Sequence, residues 1–255
     1  KFKSKRISMR KIIVFCVLFI SFTFIQAQVN LDSPTIKKYR KKKKSLDSLL
    51  TKGFVYESES GRKYFTGYSY DKLYDWDQYF EAIIHMYMGL DSRYIKNGVI
   101  IFLNNQKKNG FISRSVPAGK WTAKEHVKPF LAQIGYLIYR AYGEKDWILK
   151  AERFKSLKAY IDYWLEEMDK NNNGLSEWMS APHTGMDTQH ERAGYWEDRN
   201  CEGVDLNCYL VRELRAFAKL AELAGKDELA QEYEKKARKK TKKIRKLMWD
   251  EEDGF

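Results

Sequence analysis

Leu206-Asn-Cys-Tyr-Leu-Val-Arg-Glu-Leu-Arg-Ala-Phe-Ala-Lys-Leu-Ala-Glu-Leu-Ala-Gly225 decides the fold class of this 255-residue chain. Leu206, Leu210, Val211, Leu214, Phe217, Ala218, Leu220 and Ala221 recur three and four positions apart, the spacing that gathers apolar side chains on one face of an α-helix. Gly225 stands where a helix C-terminus accepts a left-handed residue. The turn Ala224-Gly-Lys-Asp227 leads straight into another periodic stretch, so the pair forms an antiparallel helical hairpin. Outward from there, the same period predicts helices over 79–90, 93–104, 130–142, 146–168, 206–224 and 228–249. No segment alternates convincingly as a strand does, so the chain is expected to be all-α.

Arg10 and Lys11 precede an apolar stretch from Ile12 to Ile25, followed by Gln26-Ala-Gln28. That is the charge, apolar core and small-residue exit of a secretory signal peptide, with cleavage expected after Ala27. Met9 is expected to be the initiator, with residues 1–8 upstream of it. The stretch is short for a bilayer span, so periplasmic or secreted export without a remaining membrane anchor is the expectation. Loss of Lys1, Lys3, Lys5, Arg6, Arg10 and Lys11 lowers the formal charge from +13 to +7. Lys37, Lys38, Arg40 and Lys41 to Lys44 carry all of that remainder. Residues 28–52 therefore read as a basic, solvated leading segment, residues 53–255 as the domain proper, and nucleic acid is not expected as a partner of an exported chain. The second basic cluster, Lys235 to Lys246, lies opposite Tyr233, Ala237, Ile244 and Leu247 and reads as a charged helix face. Cys16 leaves with the signal peptide; Cys201 and Cys208 are expected to be free, partly buried thiols.

The loops 53–69, 107–125 and 171–204 are longer than a helical bundle requires and fall roughly after every second helix, which puts them on one face of a helical toroid. Trp76, Trp121, Trp178 and Trp196 lie in or beside them, and indole rings suit the apolar C–H face of a pyranose. Trp147, Trp164 and Trp249 fall on helix faces and are expected in the core. The loop from Asn171 to Arg192 is the richest in chemistry, and within it His183-Thr-Gly-Met-Asp187 places a carboxylate after a glycine that lets backbone approach a sugar. Partial desolvation there would raise the Asp187 pKa towards that of a general acid; a helix or turn cap is the alternative. Upstream, Tyr74-Asp-Trp-Asp-Gln-Tyr-Phe80 offers Asp77 either as a ligand for hydroxyls or as the N-cap of the helix that follows.

The run His183 to Asp187 resembles the general-acid motif of the trehalase-like glycoside hydrolases, the group containing α,α-trehalase, the processing α-glucosidases and mannosylglycerate hydrolase. Trp76-Asp-Gln-Tyr-Phe80 resembles their Trp-Asp-x-(Tyr/Phe)-(Phe/Tyr) motif, and Asn109 to Arg114, His126 to Phe130 and Gly203 to Asn207 follow in the family's order. The resemblance runs from about Tyr68 to the end and implies an (α/α)6 barrel in which Asp187 is the acid, Asp77 binds the sugar being cleaved and Trp76 walls the pocket. It also implies Arg114, Lys128, Glu177, Trp178, His183 and Arg192 as substrate contacts, although Arg192 stands five positions after the acid where relatives place an Arg at four. Inversion needs a second carboxylate roughly 6.5–9.5 Å from the acid to activate water. Relatives carry that Glu in the last part of the barrel, and none is assigned here. About seven amphipathic helices are legible where a whole barrel has twelve, so a barrel truncated at its C-terminus, lacking turnover by itself, is expected.

The expected substrate is a small α-linked glucoside, trehalose first, with mannosylglycerate or other α-glycosides as the alternative. A non-catalytic carbohydrate-binding toroid is the reading from another class. No cofactor or metal is expected: Asp169-Lys-Asn-Asn-Asn-Gly174 imitates the opening of a calcium loop, but Ser180 stands where a bidentate Glu is required. The spacing of His183, Asp187 and His190 fits no zinc pattern.

Overall fold

The apolar spacing along 206–221 is realised as one long helix whose neighbours stack around it. A computed structural model of the chain describes residues 33–67, 70–186 and 201–254. Asp187, Arg192 and Trp196, and all of the signal-peptide reading, lie outside the described residues. Two compact units are present, residues 1–48 and 49–255. In the first, α1 (Pro34–Leu50) gathers the lysine run on a helix with predominantly exposed side chains, started by Ser33 Oγ accepting the Ile36 N–H at 3.2 Å. The stretch has no apolar period, but Lys and Leu are good helix formers. No helix among the described residues is long and apolar enough to cross a membrane.

The second unit carries α2 (Asp75–Met88), α3 (Arg93–Asn104), α4 (Leu131–Tyr142), a short α5 (Asp146–Leu149), α6 (Ala151–Glu166), α7 (Val204–Leu223) and α8 (Asp227–Leu247). The helix expected over 146–168 is broken at Lys150, whose ψ of 133° is extended rather than helical. Along the chain α2 packs on α3 and α7 on α8, while α4 meets α6 where the Leu131 N–H approaches the Tyr160 hydroxyl at 3.5 Å. Their first members, α2, α4 and α7, neighbour one another in that order. Their second members form an outer layer, in which α3 meets α6 and the Tyr233 hydroxyl of α8 donates to Asp162 of α6. Two layers of alternating helices are the arrangement of an all-α toroid.

Between the layers lie Ile95, Val99 and Phe102 of α3, Ile134 and Ile138 of α4, Leu157 and Ile161 of α6, and Leu210, Leu214 and Phe217 of α7, all nearly inaccessible. Each such side chain contributes about 1.5–3 kcal/mol on leaving water. Trp164 joins this core, whereas Trp147 is half-buried and Trp249, just past the end of α8, is 51% exposed. Cys208 is also exposed rather than partly buried, whereas Cys201 is half-buried. The expectation of no strands fails locally. β1 (Phe54–Tyr56) pairs antiparallel with β2 (Lys63–Phe65), and β3 (Leu73–Tyr74) with β4 (Ser115–Val116). These pairs are two or three residues long, too short for alternation to be legible.

Candidate active site

β3 and β4 bring the first motif to the second loop. Tyr74 pairs with Ser115, and the Asp75 N–H donates to the Arg114 carbonyl at 3.1 Å. The helix then begins at Asp75 with Tyr74 as its N-cap, so Asp77 lies inside the first turn and is not the cap that the alternative reading made it. Asp75, the first helical residue, instead holds two backbone groups: Oδ1 accepts the Trp76 N–H at 2.7 Å, and Oδ2 accepts the Lys128 N–H at 2.8 Å from a segment 53 residues away. The Lys128 ammonium stands 3.4 Å from Asp75 Oδ1, both side chains being essentially inaccessible.

Trp76 is half-buried, its ring 5.4 Å from that of Phe80, 6.1 Å from Phe130 and 6.0 Å from Tyr209. Lys128 Nζ lies 5.3 Å from its centroid. Asp77 is also half-buried, and its pKa is raised, chiefly by burial and further by Asp75; its own N–H, Lys128 and Arg114 pull the other way. One turn along α2, burial and then the Asp77 charge push Glu81 up to about 8.

The loop after α6 meets this wall through a chain of polar contacts. Arg114 Nη1 donates to Glu125 Oε2 at 3.0 Å and to the Pro182 carbonyl. Glu125 Oε1 accepts the Ser180 hydroxyl at 2.6 Å, and Ser180 Oγ accepts the His183 N–H at 3.1 Å. His183 is fully buried: Nδ1 accepts the Met179 N–H at 3.2 Å and Nε2 donates to the His126 carbonyl at 2.7 Å. Its ring stacks on Trp164 at 5.7 Å and meets Trp178 edge-on at 4.9 Å. Burial, then the Lys128 charge, holds its pKa well below the usual imidazole value. Gly185 follows with φ +76°, and a Cβ placed there would lie 3.5 Å from Lys128 Nζ and 3.6 Å from Trp76 Cδ2. Backbone thus covers the lysine and abuts the indole, two residues before Asp187.

Of the residues expected to touch substrate, Trp76 and Asp77 stand together at this wall, and Arg114 braces it with 16% of its side chain exposed. Lys128, Trp178 and His183, expected as contacts, have 0% exposure and turn to partners within the protein. Trp178 instead donates from Nε1 to Asp205 at 3.2 Å and exchanges backbone hydrogen bonds with Cys201; a Cβ on Gly203 would collide with its indole. Glu177 is 6% exposed, and its N–H donates to the Met168 carbonyl at 2.7 Å. Asp75, Glu125 and Ser180 were not singled out by sequence, since their partners lie 53, 11 and 55 residues away. The Asp-Trp-Asp spacing was the one available signal for Asp75.

Among the described residues no three His, Cys, Asp or Glu side chains form a group that could hold a metal ion. In the loop 169–174, Asp169 Oδ2 accepts the Gly174 N–H at 2.9 Å, and Asn171 and Asn173 both donate to Glu202 Oε1. An open groove of about 590 Å³ lies elsewhere, between Leu149, Phe154, Ala224 and Leu229, and has no carboxylate in its lining.

A family model described as the mannosylglycerate hydrolase MGH1-like glycoside hydrolase domain matches residues 70–255. No curated protein matches the sequence. An uncharacterized conserved protein from Thermus thermophilus has a similar structure, with a TM-score of 0.62 at 15% identity over 83% of this chain and 65% of its own. The GH63 mannosylglycerate hydrolase from the same organism, in complex with glucose, aligns at TM-score 0.58 and 16% identity over 84% of this chain and 64% of its own. A GH78 family rhamnosidase of Bacillus sp. GL1 aligns at 0.56 and 18% over 73% of this chain and 18% of its own. The chain therefore spans just under two-thirds of the two Thermus structures. These likenesses bear on the fold, which they share with the helical layers described above.

Proposed function

Because this chain belongs to the mannosylglycerate hydrolase MGH1-like glycoside hydrolase family, we propose that it serves the inverting hydrolysis of a small α-linked saccharide, with Asp187 as the general acid. Mannosylglycerate moves ahead of trehalose as the leading substrate, since the family description and one similar structure carry that name. Trp76 supplies a stacking surface and Asp77 a hydroxyl acceptor for the sugar being cleaved. The observation that carries the reading is the close approach of the Gly185 backbone to Trp76, where an added Cβ would lie 3.6 Å from the indole, so that the two motifs meet on one wall. Partial desolvation is the condition that keeps a general acid protonated at neutral pH. Export through the stretch from Arg10 to Gln28 belongs to the same proposal.

The test uses the full gene product against mannosylglycerate, trehalose and other α-glucosides, with the anomer released followed by NMR. Asp187→Asn is expected to lower kcat by about 10²- to 10⁴-fold, the usual worth of a general acid. Undiminished turnover in that variant, or release of the retained anomer, would end the assignment. N-terminal sequencing of the exported form, expected to begin at Gln28, checks the leader.

A further inference from the structure

The ion pair of Asp75 and Lys128 is an odd thing to find behind the wall that Trp76 and Gly185 form. Taking two charges out of water costs more than their attraction returns unless the geometry is excellent. Among the described residues the ammonium's polar contact is with Asp75 at 3.4 Å, longer than a good charge-assisted hydrogen bond. A methionine would fill much the same volume without that cost, so stability does not account for the pair.

Its surroundings do. The ammonium lies 5.3 Å from the Trp76 centroid and 5.9 Å from that of Trp178, within the range of cation–π attraction to both rings. Lys128 Cε and Nζ both come within 3.5 Å of the Cβ position of Gly185. The Asp75 carboxylate holds the backbone N–H of Trp76 on one oxygen and that of Lys128 on the other. Moving either charge would therefore release the indole, the loop glycine or both.

We propose that Asp75 and Lys128 are positioning residues for the saccharide subsite, fixing the Trp76 ring and the Gly185 backbone in one geometry, an inference that rests on the glycosidase reading above. Neither touches substrate. The ammonium is buried between two indoles and beneath Gly185, and the carboxylate is buried at the start of α2. Their effect passes through Trp76, which borders the subsite, and through the backbone that leads to Asp187.

The experiment is the double variant Asp75→Asn/Lys128→Met in the full gene product. It removes both charges together; the single amide oxygen keeps one of the two backbone N–H groups that Asp75 holds, and the other loses its acceptor. Thermal midpoint, steady-state kinetics and the ¹⁹F NMR signal of fluorotryptophan at Trp76, assigned with Trp76→Phe, are measured in parallel. The expected result is a folded protein with a shifted or broadened Trp76 resonance and a kcat/KM lower by roughly 10- to 100-fold, the scale on which a misplaced group costs rate. Part of that loss is expected in kcat, because the Gly185 backbone moves as well as the platform. Unchanged kinetics with an unmoved resonance would overturn the proposal, as would a lower midpoint with kcat/KM of the folded enzyme intact. If the double variant does not fold, Asp75→Asn/Lys128→Gln keeps a neutral hydrogen-bonded pair and serves the same comparison. The Trp76 signal needs no turnover, so a wild type inactive on every glycoside tested would end the hydrolase reading and leave the positioning question answerable.

Discussion

His126 and His183 are held neutral by their partners as well as by burial. In each ring a backbone N–H donates to Nδ1, from Ile112 in one and Met179 in the other, while Nε2 faces a carbonyl oxygen, that of Tyr160 or of His126. A carbonyl only accepts, so Nε2 carries the hydrogen and Nδ1 none; a second proton would meet an N–H head-on. Burial pushes the His126 pKa down to about 3, from the ordinary 6.5. A lowered folded pKa contributes stability that is complete above 6.5 and is lost as pH falls from there towards 3. The cost of His126→Gln, measured by urea unfolding, should therefore shrink by about 2 kcal/mol between pH 7 and pH 5. A pH-independent cost would contradict the neutral assignment. For His183 a loop position beside Gly and carboxylates reads as a ligand in sequence; the rings that enclose it, Trp164 and Trp178, close over it only in three dimensions.

At the scale of elements, one helix is capped by another hairpin. The first-turn N–H groups of Ala132 and Gln133 in α4 donate to the two oxygens of Glu213 on α7, at 2.6 and 3.1 Å, and the Tyr160 hydroxyl of α6 adds a third bond at 2.9 Å. The carboxyl is fully buried, which raises its pKa to about 7 against the pull of those donors. Glu213→Ala leaves a cavity and the Ala132 and Gln133 N–H groups without an acceptor, and should cost about 3–5 kcal/mol in chemical denaturation, with Glu213→Gln milder because it keeps one oxygen. A loss below about 1 kcal/mol would show that the cap is dispensable. Glu213 lies between Leu210, Leu214 and Phe217 on the apolar arc of its helix, so a polar residue in a buried position was legible in sequence. Its partners were not, because 80 residues separate Glu213 from Gln133.

For the molecule as a whole, the division at Ser48 separates a basic helix with mostly exposed side chains from the unit that holds the core and the candidate site. Deleting residues 1–48 should leave the unfolding free energy of 49–255 within about 0.5 kcal/mol, as surface changes do. Calorimetry of both forms checks this, and a fall of several degrees in Tm would show that the leading unit supports the fold. Sequence alone determined that the domain is helical, where most of its helices lie and which face of each turns inward, because apolar period is a local property carried by neighbouring residues. It also carried the order of the motifs that the family match now covers. Only tertiary structure decided which motif residues wall the site and which stand behind it. Burial and hydrogen-bond partners depend on contacts between segments far apart in the chain, and these placed Lys128, Trp178 and His183 behind Trp76 and made Asp75 the anchor of the wall.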